Sequence, residues 1–194
     1  MEKSIIIKRK EYQIIEEIND FMAVATRDGT KYFIRFLGVK TKAFDDFKYA
    51  SKRFKAANIP SPKVFVIDKK SGCAVTEYID GPTIYDELIK HDLDDHIYEQ
   101  LFQMNWYART SMMQLDFNPQ NFRLMNDKLY YLPFTFQQYI RSKDFTENDI
   151  KLWFYTNEFR DILKNNGVLL DKSRIISDYE MNKKIVLTVV KYFR

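Results

Sequence analysis

The hydrophobic pattern of this chain changes period once, near residue 80. Before that point, runs of β-branched and aromatic residues are broken by turn pairs. After Thr83, apolar residues recur three and four apart. A chain of this kind folds as strands first and helices second, so the expected class is α+β.

The first part resolves into elements. Tyr12 to Ile18 is rich in β-formers and ends at the turn pair Asn19-Asp20. Phe21 to Thr26 follows, and Asp28-Gly29 is a strong hairpin signal before the alternating run Lys31 to Leu37. Phe44, Phe47, Ser51 and Phe54 share one helical face, and Pro60 and Pro62 bound that helix near Asn58. Lys63 to Asp68 and Cys73 to Tyr78 add two strands. The expected N-terminal lobe, residues 1–80, is a five-stranded antiparallel sheet with one helix. Residues 81–194 form a small, mostly helical C-terminal lobe. Its expected helices run over 84–89, 96–113, 146–164 and 175–193, with short strands at 122–124 and 129–132.

Composition excludes several classes. Of 194 residues, 45% are hydrophobic, which supplies a real core. Lys and Arg exceed Asp and Glu by 31 to 27, too small an excess to point to nucleic acid. Lys8-Arg9-Lys10 reads as a solvated face. Ile5-Ile6-Ile7 is too short for a signal peptide, and no run approaches a membrane span. One cysteine, Cys73, excludes an intramolecular disulfide and reads as a small buried side chain. The expectation is a cytoplasmic protein.

The chemistry concentrates at Gln114-Leu115-Asp116-Phe117-Asn118-Pro119-Gln120-Asn121. A carboxylate and an amide five apart, around a proline turn, can accept a proton and hold magnesium. The plain reading is an Asx-rich loop bonding its own backbone. Elsewhere, His91 and His96 fall on different helical faces, and Asp92, Asp94 and Asp95 read as helix caps rather than metal ligands. Met104, Met112, Met113 and Trp106 read as packing around the long helix. Trp153, Phe154 and Tyr155 cannot all face one core if helical, so an exposed member would be a partner contact.

Asp-x-x-Pro-x-Asn followed by a hairpin resembles the catalytic loop of protein kinases. Val75-Thr76-Glu77-Tyr78-Ile79-Asp80-Gly81-Pro82 is similar to the fifth strand and hinge of RIO-type and aminoglycoside-phosphotransferase-type kinases. The resemblance implies a two-lobed kinase-like fold, with ATP and magnesium in the cleft. It implies Asp116 as catalytic base, Asn121 as magnesium ligand, Arg35 in place of the third-strand lysine, and backbone groups of Glu77, Tyr78 and Ile79 facing adenine.

The departures are specific. Pro133 stands where the D-F-G carboxylate belongs. Arg35 is bulkier than lysine, and Phe47 falls where its glutamate partner belongs. No glycine-rich loop exists between Glu17 and Met22. Losing the metal carboxylate removes several kcal/mol of charge stabilisation. About 60 residues follow Pro133, so a curtailed C-terminal lobe is expected. The reading is a pseudokinase that acts through a partner protein, with ATP and magnesium binding weak or absent. An alternative is an active, divergent serine/threonine-protein kinase or small-molecule phosphotransferase, with Asp127 replacing the lost carboxylate. A third is a basic interaction protein of other ancestry, which predicts no two-lobed cleft.

Overall fold

The computed structural model describes residues 3–39, 41–146 and 149–192. Its elements are β1 (Ser4–Ile7), β2 (Lys10–Asn19), β3 (Met22–Arg27), β4 (Thr30–Phe36), α1 (Lys42–Ala56), β5 (Val64–Asp68) and β6 (Cys73–Glu77). There follow α2 (Ile84–Lys90), α3 (Asp95–Thr110), β7 (Met113–Gln114), β8 (Phe122–Met125), β9 (Lys128–Tyr131), β10 (Gln137–Gln138), α4 (Phe159–Asn165) and α5 (Asp178–Tyr192). An antiparallel sheet with one helix is followed by a mostly helical part, which is the α+β class expected.

The sheet has six strands, in the order β1-β2-β3-β4-β6-β5, and not five. The additional strand is Ser4–Ile7, which pairs with β2 through a two-residue turn at Lys8-Arg9. Both turn residues have positive φ, 47° and 66°. This mirror-image turn normally selects Gly, Asn or Asp. Two basic residues hide it in the sequence, and burial of Ile7 at 1% exposure holds it. The Asp28-Gly29 and Asn126-Asp127 hairpins form the same turn with the expected residues.

Alternation along β4 sends its side chains to two cores. Ile34 joins Ala25, Cys73 and Val75 on one face of the sheet. Phe33 and Arg35 face the other way, and Phe33 packs with Val24, Ile79 and Leu132. Helix α1 buries Phe44, Phe47, Ala50 and Phe54. Ala50, not Ser51, completes that stripe, because it stands three residues after Phe47 and four before Phe54. The helix closes at Asn58, whose φ of 56° lets Ile59 N–H donate to Phe54 O at 2.9 Å. Phe47 and Phe54 belong to one core shared with α2, α3, α4 and the catalytic-loop-like segment.

The expected helix over 146–164 is instead a 3₁₀ turn, Asp149–Trp153, then a bend, then α4. Leaving helical geometry lets Trp153, Phe154 and Tyr155 all be buried, at 0%, 3% and 4% exposure. None of the three is an exposed partner contact. Around α3, Met104 and Met113 are core residues, but Trp106 and Met112 are exposed. Asp94 stands at the α3 N-cap without a side-chain cap bond. Asp92 instead pairs with Arg174, and His91 Nε2 lies 2.9 Å from Glu87. Cys73 is buried and Lys8-Arg9-Lys10 is solvated. Among the described residues, no helix is long and apolar enough to cross a membrane.

Candidate functional site

The loop 114–121 is anchored from below. Leu115, Phe117 and Pro119 are buried, and Trp153 Nε1 donates to Phe117 O at 2.7 Å. Between these anchors the polar side chains bond their own backbone. Asp116 Oδ1 accepts from Asn118 N–H at 3.1 Å, and Asn118 Oδ1 accepts from Gln120 N–H at 3.0 Å. Asn121 Nδ2 donates to Asp116 O at 3.2 Å. These are Asx turns, as the plain loop reading requires. Tyr131 Oη accepts from Asp116 N–H at 3.2 Å, and burial pushes the Tyr131 hydroxyl up to about 12. Gln114, where a kinase loop carries histidine, donates from Nε2 to Lys143 O at 2.8 Å.

A cleft of about 1310 Å³ lies between the sheet and the helical part. The β2–β3 turn and α1 wall one side, and the segment Leu132–Gln137 forms the floor. Arg35 and Asn121 line it, and so does Pro133. Asp116, Glu77, Tyr78 and Ile79 do not. Asp127, the expected replacement carboxylate, sits at the β8–β9 hairpin tip with its carbonyl bonded by Gln100. A hairpin turn projects its residues away from the cleft, so Asp127 cannot replace the missing ligand there.

Arg35 is 9% exposed. One Nη donates to Leu132 O at 2.8 Å, and the guanidinium lies 4.9 Å from the Phe134 ring centre. Phe134 rests in turn on Phe47 of α1, at 4.7 Å. An aromatic stack therefore holds Arg35, with Phe47 beneath Phe134. Burial lowers the Arg35 pKa to about 10. At neutral pH the group stays charged.

The hinge end is filled. Arg123 of β8 lies 5.4 Å from the Phe33 ring centre and 5.6 Å from that of Tyr78, and it donates to Ile79 O at 3.2 Å. Gly81 N–H donates to the same carbonyl, and Glu77 N–H donates to Lys63 O at 2.8 Å. Phe33 and Ile79 have no exposed surface.

The donors do not fit a divalent cation. Asn121 supplies one amide whose nitrogen bonds the Asp116 carbonyl, Pro133 supplies none, and the buried Arg35 cation stands beside them. Among the described residues no cluster of three or more His, Cys, Asp or Glu side chains is arranged for a metal.

Sequence reasoning missed Asp149. Its carboxyl is held above the usual range, by partial burial first and by the negative charge of Asp116 second. Its place in the acidic run after Thr146 reads as an ordinary helix start, and only the fold brings it towards Asp116. Sequence reasoning also missed Tyr85, whose buried hydroxyl lines the cleft without a partner.

Neither a family model nor a curated protein matches this chain. Solved structures do. Choline kinase LicA from Streptococcus pneumoniae is 14% identical, with 92% of this chain and 82% of that chain covered and a TM-score of 0.46. A structure of LicA in complex with AMP is 13% identical, with 99% and 83% covered and a TM-score of 0.44.

Proposed function

We propose that this protein is a kinase-like module that does not transfer phosphate and acts by binding a partner protein. One observation carries the reading: Arg35 is buried against Phe134 beside Pro133, where phosphoryl transfer needs a cation paired with carboxylate and a metal ligand. The filled hinge supports it, because the Phe33–Arg123–Tyr78 stack leaves no flat slot for a base. An exposed apolar stripe on α5, formed by Tyr179, Val186, Leu187 and Val190, supports the partner. The test is γ-phosphate transfer from ATP with magnesium, using choline, casein and the protein itself as acceptors. No transfer above that of Asp116→Asn is expected. Magnesium-dependent transfer that Asp116→Asn abolishes would overturn the reading.

The second reading is an active phosphotransferase. The retained Asp116–Asn121 loop favours it, since Asn121 Nδ2 still holds the Asp116 backbone. The same assay decides between the two.

A further inference from the structure

The cleft wall holds a buried cation, Arg35. Among the described residues Arg35 takes part in no ion pair. Its Nε is buried without a hydrogen-bond partner. Buried donors are almost always satisfied, and a buried charge without a counter-ion is strongly disfavoured. The fork geometry of a guanidinium matches carboxylate and phosphate alike, and a partly apolar cleft favours the singly charged carboxylate, which costs less to desolvate.

Part of the cleft wall is aromatic, among polar neighbours such as Thr83, Gln120 and Asn121. Phe36, Phe47, Phe134 and Phe136 line it, and Phe21 stands on its rim at 73% exposure. Charge fixes the polarity of a ligand. Glu16, Asp46 and Asp86 line the cleft with Lys42, and Arg35 is the buried cation among these charges. Ligand sites commonly have this form, an apolar volume with one well-placed polar group.

We propose that the cleft binds an amphipathic carboxylic acid. Its carboxylate pairs with the guanidinium of Arg35 at the cleft wall, and its aliphatic or aromatic body lies over Phe21, Phe36 and Phe136. The proposal rests on the reading that the cleft is not a metal–nucleotide site.

The experiment is calorimetric titration of the full chain with decanoate, and with 1-decanol as the uncharged analogue. Saturable one-site binding of decanoate is expected, with decanol at least tenfold weaker. Arg35→Met is expected to weaken decanoate at least tenfold, and Arg35→Lys to retain part of the affinity. Where Arg35→Met does not fold, Phe21→Glu carries the test. It sits on an exposed turn, adds a repelling charge at the rim, and is expected to weaken decanoate at least tenfold. Equal affinity for decanol, no decanoate binding up to millimolar concentration, or unchanged binding in the folded variants would overturn the proposal. Titration in the presence of magnesium and ATP separates the two readings. Competition by magnesium–ATP would overturn the premise that the cleft is not a metal–nucleotide site, without bearing on phosphate transfer, which the γ-phosphate assay reads. Absence of binding by both decanoate and ATP would sink the acid site alone.

Discussion

Arg123 and Arg35 have the same immediate surroundings and opposite situations. Each guanidinium lies over aromatic rings, each donates to one backbone carbonyl, and each has a buried Nε without a partner. What separates them is space. Arg123 is wedged at the hinge, where Leu124 N–H donates to Pro82 O at 3.0 Å and Thr83 bridges Arg123. Arg35 lines an open cleft. The difference is not depth, since Arg35 at 9% exposure is the more enclosed and Arg123 is half-buried; it is that the cleft adjoins Arg35.

The hinge end is the place to break this comparison first. A Cβ at Gly81 would stand 1.8 Å from the Leu124 carbonyl oxygen, which is backbone and cannot rotate aside. Gly81→Ala is expected to destabilise the fold by about 3 kcal/mol. That is a fall of about 6–12 °C in Tm for a chain of this size, read by calorimetry. An unchanged Tm would mean that the hinge is not bolted to the hairpin.

The two arginines then sharpen it. Arg35→Met removes a buried cation but strands the buried Leu132 carbonyl, so the expected loss is the larger, about 1–3 kcal/mol by urea denaturation. Arg123→Met leaves the Ile79 carbonyl with the Gly81 N–H, so the expected loss is about 1 kcal/mol or less by the same measurement. Equal losses would erase the distinction.

Asp149 gives a smaller effect with a defined sign. Its folded pKa is raised, so ionisation at neutral pH opposes folding. Asp149→Asn is expected to raise Tm slightly at pH 7. The advantage is expected to shrink as the pH falls through the raised Asp149 value, where the wild-type carboxyl is itself protonated. A Tm difference independent of pH would exclude the Asp116–Asp149 repulsion. Asp144 has the opposite sign. Burial opposes its charge, but hydrogen bonds from Thr146 and Tyr139, with Arg109 nearby, outweigh that and hold its pKa below the usual range. The smallest effect is expected at the α5 stripe. Leu187→Lys, at 61% exposure, should leave the denaturation midpoint within about 0.5 kcal/mol of wild type.

Much of the fold was legible where a local rule decided it. The Asp28-Gly29 and Asn126-Asp127 turns, the Phe stripe of α1 and its stop at Asn58 are all short-range. The strand at Ser4–Ile7 was not legible, because its turn carries Lys8-Arg9 and only pairing with β2 justifies it. Nor was the break in the 146–164 segment, since its helical spacing gives way to the burial of Trp153, Phe154 and Tyr155 together. At the candidate site, Arg35, Asn121 and Pro133 could be named from the sequence. That Asp116 stands off the cleft and Asp127 at a hairpin tip could not.

By itself the sequence determined that this chain is α+β and that the Asp116–Asn121 loop follows a long helix, because periodicity and turn chemistry act within a few residues. It also determined that Pro133 brings no carboxylate. The tertiary structure alone decided that Arg123 stacks with Phe33 and Tyr78 while Arg35 is buried at the wall of the cleft. That outcome depends on strands and helices about fifty to a hundred residues apart meeting at one face, and no local pattern encodes which of two similar arginines the packing encloses.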